Sequence, residues 1–211
     1  VAGVKAGCNN DSHNHNDVGS VTLYRDGRPL LVDIGVETYS KKTFSAQRYE
    51  IWTMQSSWHN LPEFDPNGKR WQQLPGSQYR AAEVQVGSDL HTISMNIAPA
   101  YGPVPGLTYY RRTVQLTETS LQMQDITDYP GEIALTLMSE EKPEINGATV
   151  RFGTLAQMAA KGAERITTEE IPIHDDRLHL AWQNSLYRTQ IWFKKQIDLC
   201  IDGSDDHRLN L

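Results

Sequence analysis

A chain of 211 residues is long for an average domain, yet a single all-β domain reaches that size and can bury a sizeable core. Its content of 38% hydrophobic and 22% charged residues is that of an ordinary globular protein, and a formal net charge of −6 argues against the basic face of a nucleic-acid binder. No run of about 18 apolar residues offers a membrane span, no signal-peptide pattern is present, and two cysteines, Cys8 and Cys200, allow one disulfide without making a framework, so the compartment stays open.

The chain begins Val1-Ala2-Gly3-Val4 without Met, as expected of a fragment or a processed product. Residues 18–36 are predicted to form a β-hairpin, because two apolar runs flank Arg25-Asp26-Gly27-Arg28 and Asp-Gly is a strong turn signal. A two-residue turn pairs Leu23 with Leu30 and Val21 with Val32, and sets Asp33 opposite Ser20. A three-residue loop with Gly27 left-handed sets Asp33 opposite Gly19 instead. Residues 37–78 read as loop with a short helix or turn over 45–52, and Pro66, Gly68, Pro75 and Gly76 interrupt the stretch 63–78. From Tyr79 onward strands are predicted at 80–86, 90–97, 109–116, 120–126, 132–138, 148–152, 177–182, 190–193 and 197–201, with 155–165 the one stretch that could be helical. Many short strands punctuated by Gly and Pro indicate a multi-stranded antiparallel β-sandwich with at most one or two short helices.

The chemistry concentrates in Ser12-His13-Asn14-His15-Asn16-Asp17. In an extended chain positions i and i+2 share a face, so His13 and His15 are expected side by side. Neutral imidazole is the commonest metal ligand and the side chain best suited to moving protons near neutral pH. Asp33, a carboxylate closing an apolar run, and His59, in Ser57-Trp58-His59-Asn60, could complete a site. Spacing alone leaves two readings open: a metal site of His15, Asp33 and His59 with His13 beside it, or a polar loop with unrelated histidines. A straight strand through 16–19 sets His15 and Asp33 roughly 13 Å apart at strand rise. The metal reading therefore requires a bend there, for which Gly19 is the candidate. Trp52, Trp58 and Trp71 suit either core packing or stacking on sugars. Gln47 and Gln72 carry no assigned role, and His91, His174, His179 and His207 read as ordinary strand or loop residues.

The run Asn9-Asn10-Asp11-Ser12-His13-Asn14-His15-Asn16-Asp17-Val18-Gly19-Ser20, then Leu31-Val32-Asp33-Ile34-Gly35-Val36, Thr43-Phe44-Ser45-Ala46-Gln47-Arg48-Tyr49 and Ser56-Ser57-Trp58-His59-Asn60, resembles the heparinase II/III-like family in the same order. The specific part covers about the first 80 residues; the remaining strands fit as a fold. The resemblance implies that residues 1–211 are the C-terminal β-sandwich domain of a polysaccharide lyase. Such a domain works with an N-terminal α/α toroid, absent from this chain, that supplies a tyrosine acid/base and the group neutralising the substrate carboxylate. It implies an acidic polysaccharide or oligosaccharide as substrate, heparan sulfate-like or alginate-like, cleaved by β-elimination. It implies one zinc, regarded as structural, on His15, Asp33 and His59, with His13 catalytic; Asn14, Arg48 and Tyr39 are the candidate substrate contacts. Two other classes stand beside it. A non-catalytic carbohydrate-binding sandwich would need an exposed aromatic platform and no buried His/Asp/His set. An iron oxygenase would use two His and one carboxylate as a triad.

Overall fold

The computed structural model describes residues 1–203. Its strands are β1 (Ala2–Val4), β2 (Cys8–Asn9), β3 (Val21–Arg25), β4 (Arg28–Leu31), β5 (Pro62–Phe64), β6 (Gly76–Arg80), β7 (Ala82–Val86), β8 (Thr92–Asn96) and β9 (Tyr110–Leu116). They continue as β10 (Ser120–Thr127), β11 (Ile133–Ser139), β12 (Pro143–Asn146), β13 (Thr149–Phe152), β14 (Ala156–Lys161), β15 (Arg165–Pro172), β16 (Ser185–Phe193) and β17 (Gln196–Gly203). Eight form one antiparallel sheet in the order β12-β13-β14-β17-β10-β9-β8-β7, and four form a second, β15-β16-β11-β5. Two small sheets, β1-β3-β4 and β2-β6, carry the N-terminal segment.

Alternation builds the sandwich. β9 buries Tyr110, Arg112 and Val114, β10 buries Leu121, Met123 and Asp125, β14 buries Ala156, Met158 and Ala160, and β17 buries Ile197, Leu199 and Ile201. This face shares one core with Ile133, Leu135 and Leu137 of β11 and Ile191 and Phe193 of β16. All of β11 is buried, because on its other face Met138 packs into a second cluster with Val32, Ile34, Leu178, Trp182 and Leu186, with Trp52 and Trp58 packed against it. The long irregular segment that carries His59 is thereby clamped to the smaller sheet.

Helical structure among the described residues is confined to single 3-10 turns at Lys42–Phe44, Arg48–Glu50, Trp52–Met54, Ser56–Trp58, Ala98–Tyr101 and Leu178–Leu180. The helix envisaged over 155–165 is instead the strand β14, and the strand expected over 177–182 is a 3-10 turn in which the Trp182 amide reaches the Leu178 carbonyl at 2.9 Å. The hairpin starts in the register expected of the two-residue turn and leaves it at Leu23. Asp26 (φ +50°) and Gly27 (φ +76°) form the two-residue turn and pair Arg25 with Arg28 and Tyr24 with Pro29; a bulge then shifts the partner of Leu23 to Leu31. The bulge lets Leu30 and Leu31 both be buried. β4 ends there, so Asp33 lies beyond the strand. Cys8 and Cys200 are unpaired, and no helix of the described residues is long and apolar enough to cross a membrane. His207 lies outside the described residues.

A candidate metal centre behind an exposed histidine loop

Residues 10–20 are not extended, so His13 and His15 do not share a face. His13 sits in a turn at φ +59° with its side chain exposed, whereas His15 is buried. The loop bends where the metal reading requires it. Gly19 adopts φ +90°, and a Cβ there would stand 2.7 Å from Ile97 Cγ2, so only glycine fits. Its amide donates to the Lys5 carbonyl at 2.7 Å, and the Lys5 amide donates to the Ser20 carbonyl at 3.0 Å. The Asn16 amide donates to the Met54 carbonyl at 3.0 Å, tying the loop to the segment that leads into His59.

Three ligand-bearing side chains converge behind the loop. The available atoms of His15, Asp33 and His59 all lie within 4.8 Å of one another, a group that could hold a metal ion. The two imidazole centroids are 5.1 Å apart. Asp33 Oδ1 accepts the Gly35 amide at 2.8 Å, leaving Oδ2 3.3 Å from His59 Nδ1. His59 Nε2 is 3.1 Å from the Thr53 carbonyl, which can only accept, so the ring proton belongs on Nε2. Nδ1 is then a lone pair, fully buried and without a hydrogen-bond partner, turned toward a carboxylate. Two acceptors face each other, and a proton or a cation must stand between them.

The electrostatics agree. Burial pushes His15 down, the charge of neighbouring His59 adds to it, and its pKa falls to about 4. Burial alone would lower His59 as well, but the Asp33 carboxylate 3.3 Å away, which would accept a proton carried on Nδ1 and attracts its charge, outweighs this and raises it. Burial would raise the Asp33 carboxyl, yet His59, His15 and the Gly35 amide together hold it well below the usual carboxylate range. Burial raises Asp17, against the pull of His59 and of Lys5, to which it is ion-paired.

The other site residues anticipated from sequence distribute differently. Arg48 Nε and Nη2 reach the Asn14 carbonyl at 3.3 and 2.9 Å, and Nη1 reaches the Thr43 carbonyl at 3.0 Å. The Tyr49 hydroxyl donates to Asn14 Oδ1 at 3.1 Å. Arg48 and Tyr49 thus grip the loop at the residue between the two histidines. Tyr39 packs edge-on against Phe44, under the Arg177 guanidinium, 4.3 Å from its ring centroid. Trp52 and Trp58 pack against each other at 5.1 Å, and Trp71 lies under the Lys69 ammonium.

Sequence reading misses the scaffold. The Gln73 side chain accepts the Val18 amide at 3.0 Å, donates to the Val18 carbonyl at 2.6 Å and accepts from Asn9 at 3.0 Å. Asn60 donates to the Val21 and Val32 carbonyls at 2.6 and 3.1 Å and accepts the Met138 amide at 2.7 Å. Arg112 forms a bidentate pair with Asp125 inside the sandwich and gives Nη1 to the carbonyls of Gly19 and Asn60, both at 2.8 Å. One buried guanidinium thus holds the bend and the residue after His59. Inward-phase charges on β9 and β10 are the available signal for Arg112; nothing in the sequence marks Gln73.

The sequence pattern of the family described as heparinase II/III-like, C-terminal, matches residues 2–170. Among solved structures, a heparinase III (BT4657 gene product) superposes with a TM-score of 0.66 at 16% identity, over 97% of this chain and 33% of that one. The heparan sulfate lyase HepC from Pedobacter heparinus superposes with a TM-score of 0.66 at 15% identity, over 96% and 33%. This chain therefore spans about a third of the length of the structures it resembles. Among curated proteins none matches.

Proposed function

Because the chain belongs to the heparinase II/III-like family, to whose C-terminal part it corresponds, we propose that it is the β-sandwich part of a polysaccharide lyase. The proposed substrate is a uronate-containing acidic glycan, heparan sulfate-like or alginate-like, and the partner is an N-terminal α/α toroid domain. The observation that carries this reading is the buried, unpartnered Nδ1 of His59 turned toward Asp33 directly behind the loop that presents His13.

The donor set of two imidazoles and one carboxylate suits zinc, and His15, Asp33 and His59 would hold one such ion. When bound, it would supply a cross-link between the His13 loop, the segment that follows β4 and the His59 segment, and so fix where His13 stands. The proposed reaction moves the C5 proton of the uronate to a base and breaks the C4–O bond; the expelled sugar oxygen takes up a proton from the tyrosine acid, and a C4=C5 double bond remains. Charge builds next to a carboxylate during proton removal and must be neutralised and stabilised. His13, exposed and adjacent to the anchored Asn14, donates to that charge or tunes the tyrosine supplied by the toroid. Arg48 keeps the loop in place through Asn14; Asn14, Arg48 and Tyr39 line the substrate side.

Elemental analysis tests the core of this reading. One equivalent of zinc is expected in the purified protein and a loss in His59→Ala and Asp33→Asn. A folded, metal-free wild type, or unchanged zinc in both variants, would overturn it.

A further inference from the structure

Of the three ligands, His59 is 0% exposed and His15 is 7% exposed, while the Asp33 side chain keeps 37% of its surface open. Asp33 opens into a pocket of about 270 Å³ lined also by Gly3, Val4, Lys5, Asp17, Ser20 and Thr22. The pocket is built from β1, β3 and the bend, not from the exposed turn that carries His13. Lys5 and Asp17 are ion-paired within it, and both are largely buried. Their charges reach the centre: that of Lys5 bears on His15 and that of Asp17 on His59.

We propose that this pocket is the route by which a divalent cation enters the His15–Asp33–His59 site, with the Lys5–Asp17 pair as its gate. The inference rests on the metal reading of that site. An incoming cation meets the Lys5 ammonium, which repels it, and the Asp17 carboxylate, which attracts it. Paired, the two nearly cancel, so either partner alone should set the sign of the field at the mouth. Loading of the metal would then be separate from the glycan-facing side of the molecule: an oligosaccharide lying against the His13 turn would not block exchange.

The test is the rate at which chelator-stripped protein, with its far-UV dichroism retained, takes up zinc from a zinc salt in stopped flow against a fluorescent zinc indicator. Lys5→Met should speed uptake and Asp17→Asn should slow it, each by about tenfold at low ionic strength, with the difference shrinking in salt. Thr22→Phe, which fills the pocket from a strand position that accepts aromatics, should slow uptake by about tenfold or more at any salt concentration. Lys42→Met removes a charge paired with Glu50 elsewhere on the surface and should leave the rate unchanged. Zinc uptake by wild type at the same rate as by Lys5→Met, Asp17→Asn and Thr22→Phe would overturn the route while leaving the metal site standing. No zinc uptake by wild type would overturn both. If a charge variant fails to fold, Thr22→Phe decides alone.

Discussion

His59 Nδ1 can face Asp33 only with a proton or a metal between them, and this makes the site's pH behaviour predictable. In the metal-free protein the His59 pKa is raised by Asp33. Its pairing energy is therefore fully present below the unfolded value of about 6.5 and is lost as pH rises through the folded one. His15 has the opposite sign: lowered to about 4, it leaves stability intact above about 6.5 and erodes it as pH falls toward 4. Metal-free protein should thus be most stable near pH 6.5, and zinc binding at that pH should release about one proton, the one held by His59. Calorimetry in buffers of different ionisation enthalpy counts that proton; release of none would contradict the assignment. Asn60 illustrates a residue whose importance is invisible in its type. Asn60→Leu strands two buried carbonyls and an amide, at about 1–3 kcal/mol each. We expect a loss of at least about 3 kcal/mol in urea unfolding; a change within about 0.5 kcal/mol would show that these bonds matter little.

At the scale of elements, alternation is a good guide where one face meets the core and the other meets water. The hairpin of β9 and β10, expected at 109–116 and 120–126, forms at Tyr110–Leu116 and Ser120–Thr127. β14 reads as a possible helix because Ala, Met and Gln favour one locally. Its true pattern buries Ala156, Met158 and Ala160 in strict alternation, and tertiary pairing with β13 and β17 overrides propensity. Leu178 and Trp182, both buried and four apart, have helical spacing that the strand reading overlooks. His15, Asp33 and His59 are legible as residue types in a family order. Their convergence is not, because it depends on a bulge in the β3–β4 hairpin, a left-handed glycine and an arginine from another sheet. Gly19→Ala tests this: φ +90° and the contact with Ile97 should cost about 2 kcal/mol or more. Zinc affinity should fall with stability, measured together by unfolding with and without zinc. Equal stability and affinity would mean that the bend is not needed.

For the whole molecule, the sandwich has its own core, from β8, β9, β10, β13, β14 and β17 against β5, β11 and β16, and is expected to fold alone. It is not expected to cleave alone. Positioned partners supply most of the rate in such reactions, and the proposed tyrosine and carboxylate-neutralising group belong to the toroid. A net charge of −6 also leaves attraction of the proposed anionic glycan to the proposed second domain. The most direct measurement follows the ultraviolet absorbance of the unsaturated product when heparan sulfate and alginate are incubated with three samples. These are the isolated chain, the chain joined to the proposed toroid domain, and the joined protein carrying His13→Ala. We expect no product from the first and steady product on one of the glycans from the second. The third should be slower by about 10²–10⁴, with zinc retained. Steady cleavage by the isolated chain, or an undiminished rate in His13→Ala, would contradict these expectations.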